Sequence, residues 1–113
     1  MDKRTPTHDL EEFQRYWLRW CMVPNRPKLA TTTAIHSAVI LGFDIASWTR
    51  CILSMKHHHF YKSMTAKHDH RRWQDVYHVP FEGMTYYVKF TDTGLRAFRL
   101  LSFKERDDDR PWT

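Results

Sequence analysis

The spacing of apolar residues changes at His59, and this change constrains the fold more than any other feature of the chain. Before His59, apolar residues recur at helical intervals, as in Ile45, Trp48, Ile52 and Met55, which would share one face of a helix. After His59, apolar and polar residues alternate, which is typical of strands with one buried face. Helices followed by strands predict an α+β fold, with N-terminal helices packed on a largely antiparallel β-sheet.

Three helices are predicted from capping residues and helix breakers. Asp9 begins the first with a capping-box pattern, and Pro24 lies beyond its end. A threonine cluster at residues 31–33 begins the second helix, which Gly42 ends. Asp44 caps the third. All three predicted helices therefore precede His59.

Four strands are predicted, at residues 60–64, 72–79, 86–91 and 96–104. The Thr-Asp-Thr-Gly segment at residues 91–94 is predicted to be the turn between the last two. In the third strand, alternation turns three side chains towards the helices, namely Tyr86, Val88 and Phe90, and three away, namely Tyr87, Lys89 and Thr91. In the last strand the same rule groups Lys104 with Ser102 and Phe98, and turns Leu101 and Phe103 inward.

The chain length of 113 residues, 42% of them hydrophobic, suits one modest core and a single domain over residues 1–113, with residues 107–113 as a flexible tail. No apolar run approaches the roughly 20 residues that span a bilayer, and the N-terminus lacks a signal-peptide core. We therefore expect no membrane association and a cytoplasmic location. Cys21 and Cys51 lie among apolar residues without redox or zinc spacing, which predicts free, buried thiols.

The chain is basic, with 18 lysines and arginines against 13 acidic residues and a net charge of +5. Residues 107–113 carry three aspartates and one arginine, so the remaining body has a net charge of +7. Such a body attracts polyanions and favours nucleic-acid binding, although charge alone does not establish it.

Three short blocks carry residues suited to phosphate chemistry. They are Phe-Tyr-Lys-Ser-Met-Thr at residues 60–65, Trp-Gln-Asp-Val-Tyr at 73–77 and Ser-Phe-Lys-Glu at 102–105. The blocks bring Lys62, Gln74 and Lys104 onto separate predicted strands. These side chains can bind a phosphate without a metal ion. Side-chain alternation along the strands does not by itself show which lysines lie close together.

Eight histidines raise the question of a metal site or a histidine-based nuclease. The run at residues 57–59 precedes a strand, and no carboxylate or cysteine lies beside it at ligand spacing, so a surface loop is predicted and no metal site. His70 follows Asp69 near the second predicted strand. A structural role for His70 is favoured over proton transfer.

Several blocks together resemble the motility quorum-sensing regulator (MqsR) family of bacterial toxins. They occur in the same order and comprise residues 3–6, 60–65, 69–70, 73–77, 87–89 and 102–105. The resemblance is continuous from about residue 31 to residue 89 and resumes in the last strand. Residues 9–28 differ from the family pattern.

The resemblance implies a RelE-like ribonuclease fold, metal-independent cleavage of single-stranded mRNA and a cognate antitoxin protein. It assigns the catalytic roles to Lys62, Gln74, Tyr87 and Lys104, with Tyr86 as a rival for the tyrosine. The predicted substrate-binding residues are His70, Arg71, Arg72 and Lys89. No cofactor is implied. Two alternatives stay open: an RNA-binding module without catalysis, and a helix-turn-helix DNA-binding protein over residues 31–55.

The implied reaction suits these residue types. A ribose 2′-hydroxyl attacks the adjacent phosphate, which leaves a 2′,3′-cyclic phosphate and a 5′-hydroxyl, and the transition state gathers negative charge that two ammonium groups stabilise. Lysine and tyrosine both titrate near ~10 in model peptides, far from neutral pH. Electrostatic stabilisation is therefore favoured over proton transfer as the role of the lysines.

Overall fold

The computed structural model describes residues 1–107, and it contains three α-helices followed by the main sheet. The helices are α1 (Leu10–Trp20), α2 (Thr32–Ile40) and α3 (Ile45–Ser54). The strands are β1 (Asp2–Lys3), β2 (Phe60–Ala66), β3 (Asp69–Phe81), β4 (Met84–Gly94) and β5 (Ala97–Glu105). Apart from Asp107, the predicted flexible tail lies outside the described residues.

The three predicted helix starts are confirmed by their caps. Asp9, Thr31 and Asp44 each accept a hydrogen bond from the backbone N–H three residues further on, at 2.8–3.1 Å. The cap of α3 is reciprocal, because the Ser47 hydroxyl also accepts from the Asp44 N–H. Caps of this kind each stabilise a helix by about 1 kcal/mol. Gly42 follows α2 with a φ of +88°, as expected for a helix end.

The strands form one antiparallel sheet in the order β1-β2-β3-β4-β5. All three helices pack on the same face, where Tyr86, Val88 and Phe90 of β4 are buried as predicted. Phe13 of α1 stacks on Phe90 with ring centroids 4.0 Å apart. The α+β fold class is therefore confirmed and is consistent with a RelE-like fold. We call the opposite, helix-free face the open face.

A β-bulge in β5 overturns the alternation predicted for that strand. Lys89 pairs with Ser102, whereas the next residue of β4 pairs with Leu100, so Leu101 is an extra residue. As a result Phe98 and Leu100 both face the core, and Leu101 is only partly buried. The predicted grouping of Phe98 with Lys104, and the inward orientation of Leu101, were wrong.

The bulge is held by the segment that precedes α2. Ala30 forms a parallel bridge with Leu100, and the Thr31 hydroxyl donates a hydrogen bond to the Leu101 carbonyl at 2.9 Å. Because the extra residue reverses side-chain parity, Phe103 turns into the core and Lys104 turns to the open face. The bulge therefore determines the orientation of Lys104.

The last hairpin turns later than predicted. Residues 91–94 stay in the strand ladder, and Gly94 pairs with Ala97. The turn consists of Leu95 and Arg96, which both have left-handed φ angles, of 53° and 60°. Neither residue type favours that conformation, so the turn left no recognisable sequence signal. Thr91, predicted to face outward, is buried, and its hydroxyl donates to the Trp73 carbonyl at 2.8 Å.

The short strand β1 was not predicted, and it forms the edge of the sheet. Asp2 pairs with Met64 and Lys3 with Ser63. Two paired residues carry no periodic signal, which explains why sequence alone did not reveal this strand.

Cys21 and Cys51 are free and buried, as predicted. Burial raises the pKa of the Cys51 thiol to about 12, so it is protonated at neutral pH. No single helix within residues 1–107 is long and apolar enough to cross a membrane, and α2 and α3 meet that test only as a pair bent by 104°.

Candidate active site on the open face

The strand register aligns two lysines in one row across the open face. Lys62 pairs with Val76, Val76 with Lys89, and Lys89 with Ser102, so these residues form one row across β2, β3, β4 and β5. Strands lie about 4.8 Å apart, which separates the Lys62 and Lys89 Cα atoms by about 10 Å. Val76 lies between the two lysines in this row and is fully buried.

A second row lies two residues along the strands and contains aromatic rings. Here His78 pairs with Tyr87, and Tyr87 pairs with Lys104. The Lys104 Nζ lies 5.1 Å from the centroid of the Tyr87 ring. Tyr61 stacks on His78 with centroids 4.2 Å apart and an interplanar angle of 20°. The β2 bulge between Phe60 and Lys62 lets Tyr61 reach this row.

Lys89 is the central cation of this face. It lies diagonally from Lys104, at a Cα distance of about 7–8 Å by the geometry of antiparallel pairs. Burial lowers the pKa of Lys89, and the nearby charges of Lys104 and Lys62 lower it further. The positive charges of Lys62, Lys89 and Lys104 therefore repel one another across a partly buried part of the open face.

Lys62 has an acidic neighbour from the N-terminal strand. Its Nζ lies 3.4 Å from an Asp2 carboxylate oxygen, and the two side chains are 23% and 53% exposed. An exposed pair of this kind contributes little stability. A competing anion can therefore displace Asp2 from Lys62 at small cost.

The open face shifts the pKa values of Tyr87 and His78 in opposite directions. Burial, and then the neighbouring Tyr61 and Asp2, raise the pKa of Tyr87, which keeps its phenol protonated at neutral pH. Burial and the positive charges of Arg106 and Lys62 lower the pKa of His78, against an opposing effect of Asp107. At pH 7 the face therefore presents a phenolic donor beside a neutral imidazole.

Gln74 lies on the same face of β3 as Val76 and His78, as its parity predicts. It pairs with Met64 and is partly buried. Since Lys62 pairs with Val76, Gln74 and Lys62 are diagonal neighbours. All four predicted catalytic residues thus lie on the open face, together with Lys89.

The other three predicted substrate-binding residues lie elsewhere. Thr65 pairs with Trp73, but the next β2 residue pairs with Asp69, so residues 70–72 loop out of the ladder. His70, Arg71 and Arg72 are all exposed there. At about 3.3 Å per residue, Arg72 is roughly 20 Å along the strand from His78.

Arg71 and Arg72 line a groove of about 560 Å³ at this end of the sheet, beside Trp73. Arg71 forms an exposed ion pair with Asp69 at 3.3 Å. The Lys3 Nζ lies 4.3 Å from the Trp73 ring centroid. This region is a second basic and aromatic surface, separate from the lysine rows.

The histidine run at residues 57–59 forms one turn of 3₁₀ helix (His57–His59) rather than an irregular loop. Within residues 1–107, no three His, Cys, Asp or Glu side chains lie close enough to hold a metal ion.

Residues 31–55 do not present a DNA-recognition helix. Trp48, Cys51 and Ile52 of α3 are buried in the core. Ser47 takes part in the cap of α3, and the Thr49 hydroxyl accepts a hydrogen bond from the Trp17 Nε1 at 2.9 Å. Ser47 and Thr49 therefore make hydrogen bonds within the protein and are not free to contact DNA bases.

Tyr61 and His78 were not predicted as site residues. His78 lies two residues from Val76 and four from Gln74, so side-chain alternation places all three on one face and could have revealed His78. Tyr61 gave none, because strict alternation turns it and Lys62 to opposite faces and only the bulge brings both to the open face.

An antiparallel sheet with three lysines, two tyrosines and a histidine on one open face defines a protein with a cationic surface suited to binding phosphate groups. Comparison with known proteins agrees with this class. The model of the family described as "Motility quorum-sensing regulator, toxin of MqsA" matches residues 5–105. The chain therefore belongs to the MqsR toxin family, as the resemblance in sequence indicated.

A relative from Escherichia coli (strain K12) is named mRNA interferase toxin MqsR. It is 33% identical to this chain over 107 residues, which cover 94% of this chain and 100% of the relative. The matched region includes every residue of the two rows on the open face.

Proposed function

We propose that this protein is an mRNA interferase toxin, an endoribonuclease that cleaves single-stranded mRNA and is neutralised by a cognate antitoxin. The observation that carries the proposal is the presence of Lys62, Lys89, Lys104 and Tyr87 on one open face of the sheet. Membership of a toxin family and the name of the E. coli relative support it.

The proposed reaction is an attack of the ribose 2′-hydroxyl on the adjacent phosphate. Lys62 and Lys104 flank the phosphate and stabilise the charge on its non-bridging oxygens. Lys89, between them, binds the same phosphate or its neighbour. Removing one preorganised donor of this kind typically costs about 2.7–4 kcal/mol, or roughly 10²–10³ in rate.

Gln74 and Tyr87 complete the proposed site. The Gln74 amide orients the phosphate or the 2′-hydroxyl from its position diagonal to Lys62. The Tyr87 phenol donates a proton to the departing 5′-oxygen, which suits a group whose raised pKa keeps it protonated. The scheme requires no metal ion, because the ammonium groups supply the positive charge.

His70, Arg71 and Arg72 are proposed to bind phosphates away from the cleaved bond. Their exposure and their distance from the lysine rows suit a longer RNA strand that crosses both surfaces. Such contacts hold RNA in register without a direct part in chemistry.

The cognate antitoxin is proposed from the family description, which names the family as the toxin of MqsA. The cationic open face makes an acidic partner surface a favourable match. Co-expression with the antitoxin gene is expected to restore growth that the toxin alone arrests.

The test is cleavage of an unstructured mRNA by purified protein in EDTA, with mapping of both new ends. Wild type is expected to leave 2′,3′-cyclic phosphate and 5′-hydroxyl ends. Lys62→Ala is expected to reduce the rate by roughly 10²–10³. Lys28→Ala removes an equal charge from an exposed residue before α2 and serves as the matched control. Equal activity of the Lys62→Ala and Lys28→Ala variants would contradict the proposal.

A further inference from the structure

His78 is a titratable residue of the second row that the proposed scheme does not use. Its position is fixed, because its neighbours Tyr77 and Val79 are fully buried on the other face of β3. The imidazole stacks on Tyr61, and its centroid lies 6.1 Å from that of the Tyr87 ring.

The ring nitrogens of His78 distinguish it from the histidines with structural contacts. His8 Nε2 hydrogen bonds the Trp73 carbonyl at 2.9 Å, and His59 Nδ1 accepts from the Lys56 N–H at 3.0 Å. His57 pairs with Glu11 at 3.5 Å. Within residues 1–107, no hydrogen bond involves either ring nitrogen of His78, so one remains able to accept a proton.

We propose that His78 is a further catalytic residue, which accepts the proton of the attacking 2′-hydroxyl. This inference rests on the proposed function. The His78 imidazole and the Tyr87 phenol are cross-strand neighbours, and a phosphodiester lying over them would have a base and an acid within reach, with lysines on either side.

The proposed step balances as follows. The 2′-hydroxyl proton moves to a ring nitrogen of His78 while the 2′-oxygen forms a bond to phosphorus. The bond from phosphorus to the 5′-oxygen breaks, and the 5′-oxygen takes the phenolic proton of Tyr87. The imidazolium then returns a proton through solvent to the phenolate. No oxidant, reductant or metal ion takes part.

The charged and titratable groups around His78 support this role. They are Tyr61 and Lys62 from β2, Tyr87 and Lys89 from β4, Lys104 from β5, and Arg106 and Asp107 beyond it. Burial and the nearest cations lower the pKa of His78, with Asp107 opposing them. The imidazole is therefore neutral at pH 7 and keeps a basic nitrogen, whereas the Tyr87 phenol, whose pKa burial raises, is protonated there.

The first test is the pH dependence of single-turnover cleavage in EDTA. The wild-type rate is expected to fall below pH 6.5 as His78 becomes protonated. The rate of His78→Gln at pH 7.5 is expected to be roughly 10²–10⁴-fold lower than that of wild type. Its rate is expected to show no fall below pH 6.5. The matched control is His36→Ala, which removes an exposed histidine on α2 and is expected to keep the wild-type rate and its fall below pH 6.5. A wild-type rate that stays level from pH 5 to 7.5 would overturn the assignment without any variant.

The second test separates a base from an acid. A substrate with sulfur in place of the 5′-oxygen has a leaving group that needs no proton, so it rescues variants that lack the acid. Tyr87→Phe is expected to be rescued on this substrate and His78→Gln is not. Rescue of His78→Gln, or a loss below tenfold on the normal substrate, would contradict the role of His78. Absence of cleavage by wild type would instead contradict the proposed function.

Discussion

Lys62 and Lys104 share one face of the sheet, but Lys89 and Tyr87 lie between them. The two outer lysines belong to strands three positions apart, so they do not meet directly, and we propose that they flank a phosphate. Lys89 brings a third positive charge into the centre. Burial lowers the pKa of Lys89, and the charges of Lys104 and Lys62 lower it further. Positive charge on this face is therefore concentrated where a phosphodiester would gain most from it.

The hydroxyl of Tyr87 provides a test at this level. Tyr87→Phe keeps the ring beneath Lys104 but removes the proposed acid, and we expect a rate loss of roughly 10²-fold with little change in RNA affinity. Because burial raises the pKa of Tyr87, the wild-type rate is expected to show no alkaline fall caused by this phenol below pH 10. Single-turnover rates and RNA titrations of the two proteins measure both quantities. A Tyr87→Phe protein with the wild-type rate would rule out proton donation by Tyr87.

At the level of strands and helices, the family-matched block at residues 73–77 has a structural role as well as a proposed catalytic one. Asp75 is fully buried next to Gln74, and its carboxylate accepts hydrogen bonds from the N–H groups of Thr7 and His8, at 2.8–3.1 Å. These bonds fix the segment that joins β1 to α1. This segment follows β1, the strand that places Asp2 beside Lys62.

Loss of the Asp75 carboxylate is expected to destabilise the fold. Asp75→Ala leaves the partly buried N–H groups of Thr7 and His8 without their charged acceptor, and we expect the free energy of unfolding to fall by roughly 2–4 kcal/mol. Urea unfolding would show a lower midpoint with an unchanged slope. Glu11→Ala, which removes an exposed ion pair with His57, is expected to cost less than about 1 kcal/mol. Equal midpoints for Asp75→Ala and wild type would show that these bonds do not stabilise the segment.

Sequence predicted the helices and the order of the main strands because caps and periodicity are local signals. In the strands it missed the short strand β1, the bulges in β2 and β5, and the position of the last turn. The β5 bulge at Leu101 depends on the segment that ends at Thr31, roughly 70 residues earlier in the chain. The late turn at Leu95 and Arg96 uses residues that rarely adopt left-handed angles. The β5 bulge lets Phe98 and Leu100 face the core while Lys104 keeps its predicted place on the open face.

Across the protein, two basic surfaces lie at different positions on the sheet. The lysine rows cross β3 at Val76 and His78 and are proposed to hold the cleaved phosphate. Arg72, the nearest of the exposed residues 70–72, is roughly 13 Å along β3 from Val76 and roughly 20 Å from His78. The family resemblance supplied the catalytic candidates. Only the structure shows that they lie on a different surface from Arg71 and Arg72. A short RNA is expected to contact the lysines alone, and a longer RNA to contact both surfaces.

The salt dependence of RNA binding tests this separation. Each phosphate neutralised on a single strand contributes about −0.7 to the slope of log affinity against log salt concentration, so three lysines predict a slope of about −2 for a short RNA. A longer RNA is expected to give a steeper slope. The double variant Arg71→Ala, Arg72→Ala is expected to reduce the longer RNA's slope by about 1.4 and leave the short RNA's slope unchanged. Equal effects on both RNAs would show that the surfaces act as one.

The central claim is that RNA is cleaved on the open face by attack of its own 2′-hydroxyl. After the cleavage site in one RNA has been mapped, the most direct measurement compares that RNA with a version that has a single 2′-deoxy nucleotide 5′ to the cleaved bond, both in EDTA. The account predicts a cyclic phosphate end from the first and no cleavage at that bond in the second. Cleavage of the deoxy-substituted bond, or a 3′-hydroxyl product, would contradict it.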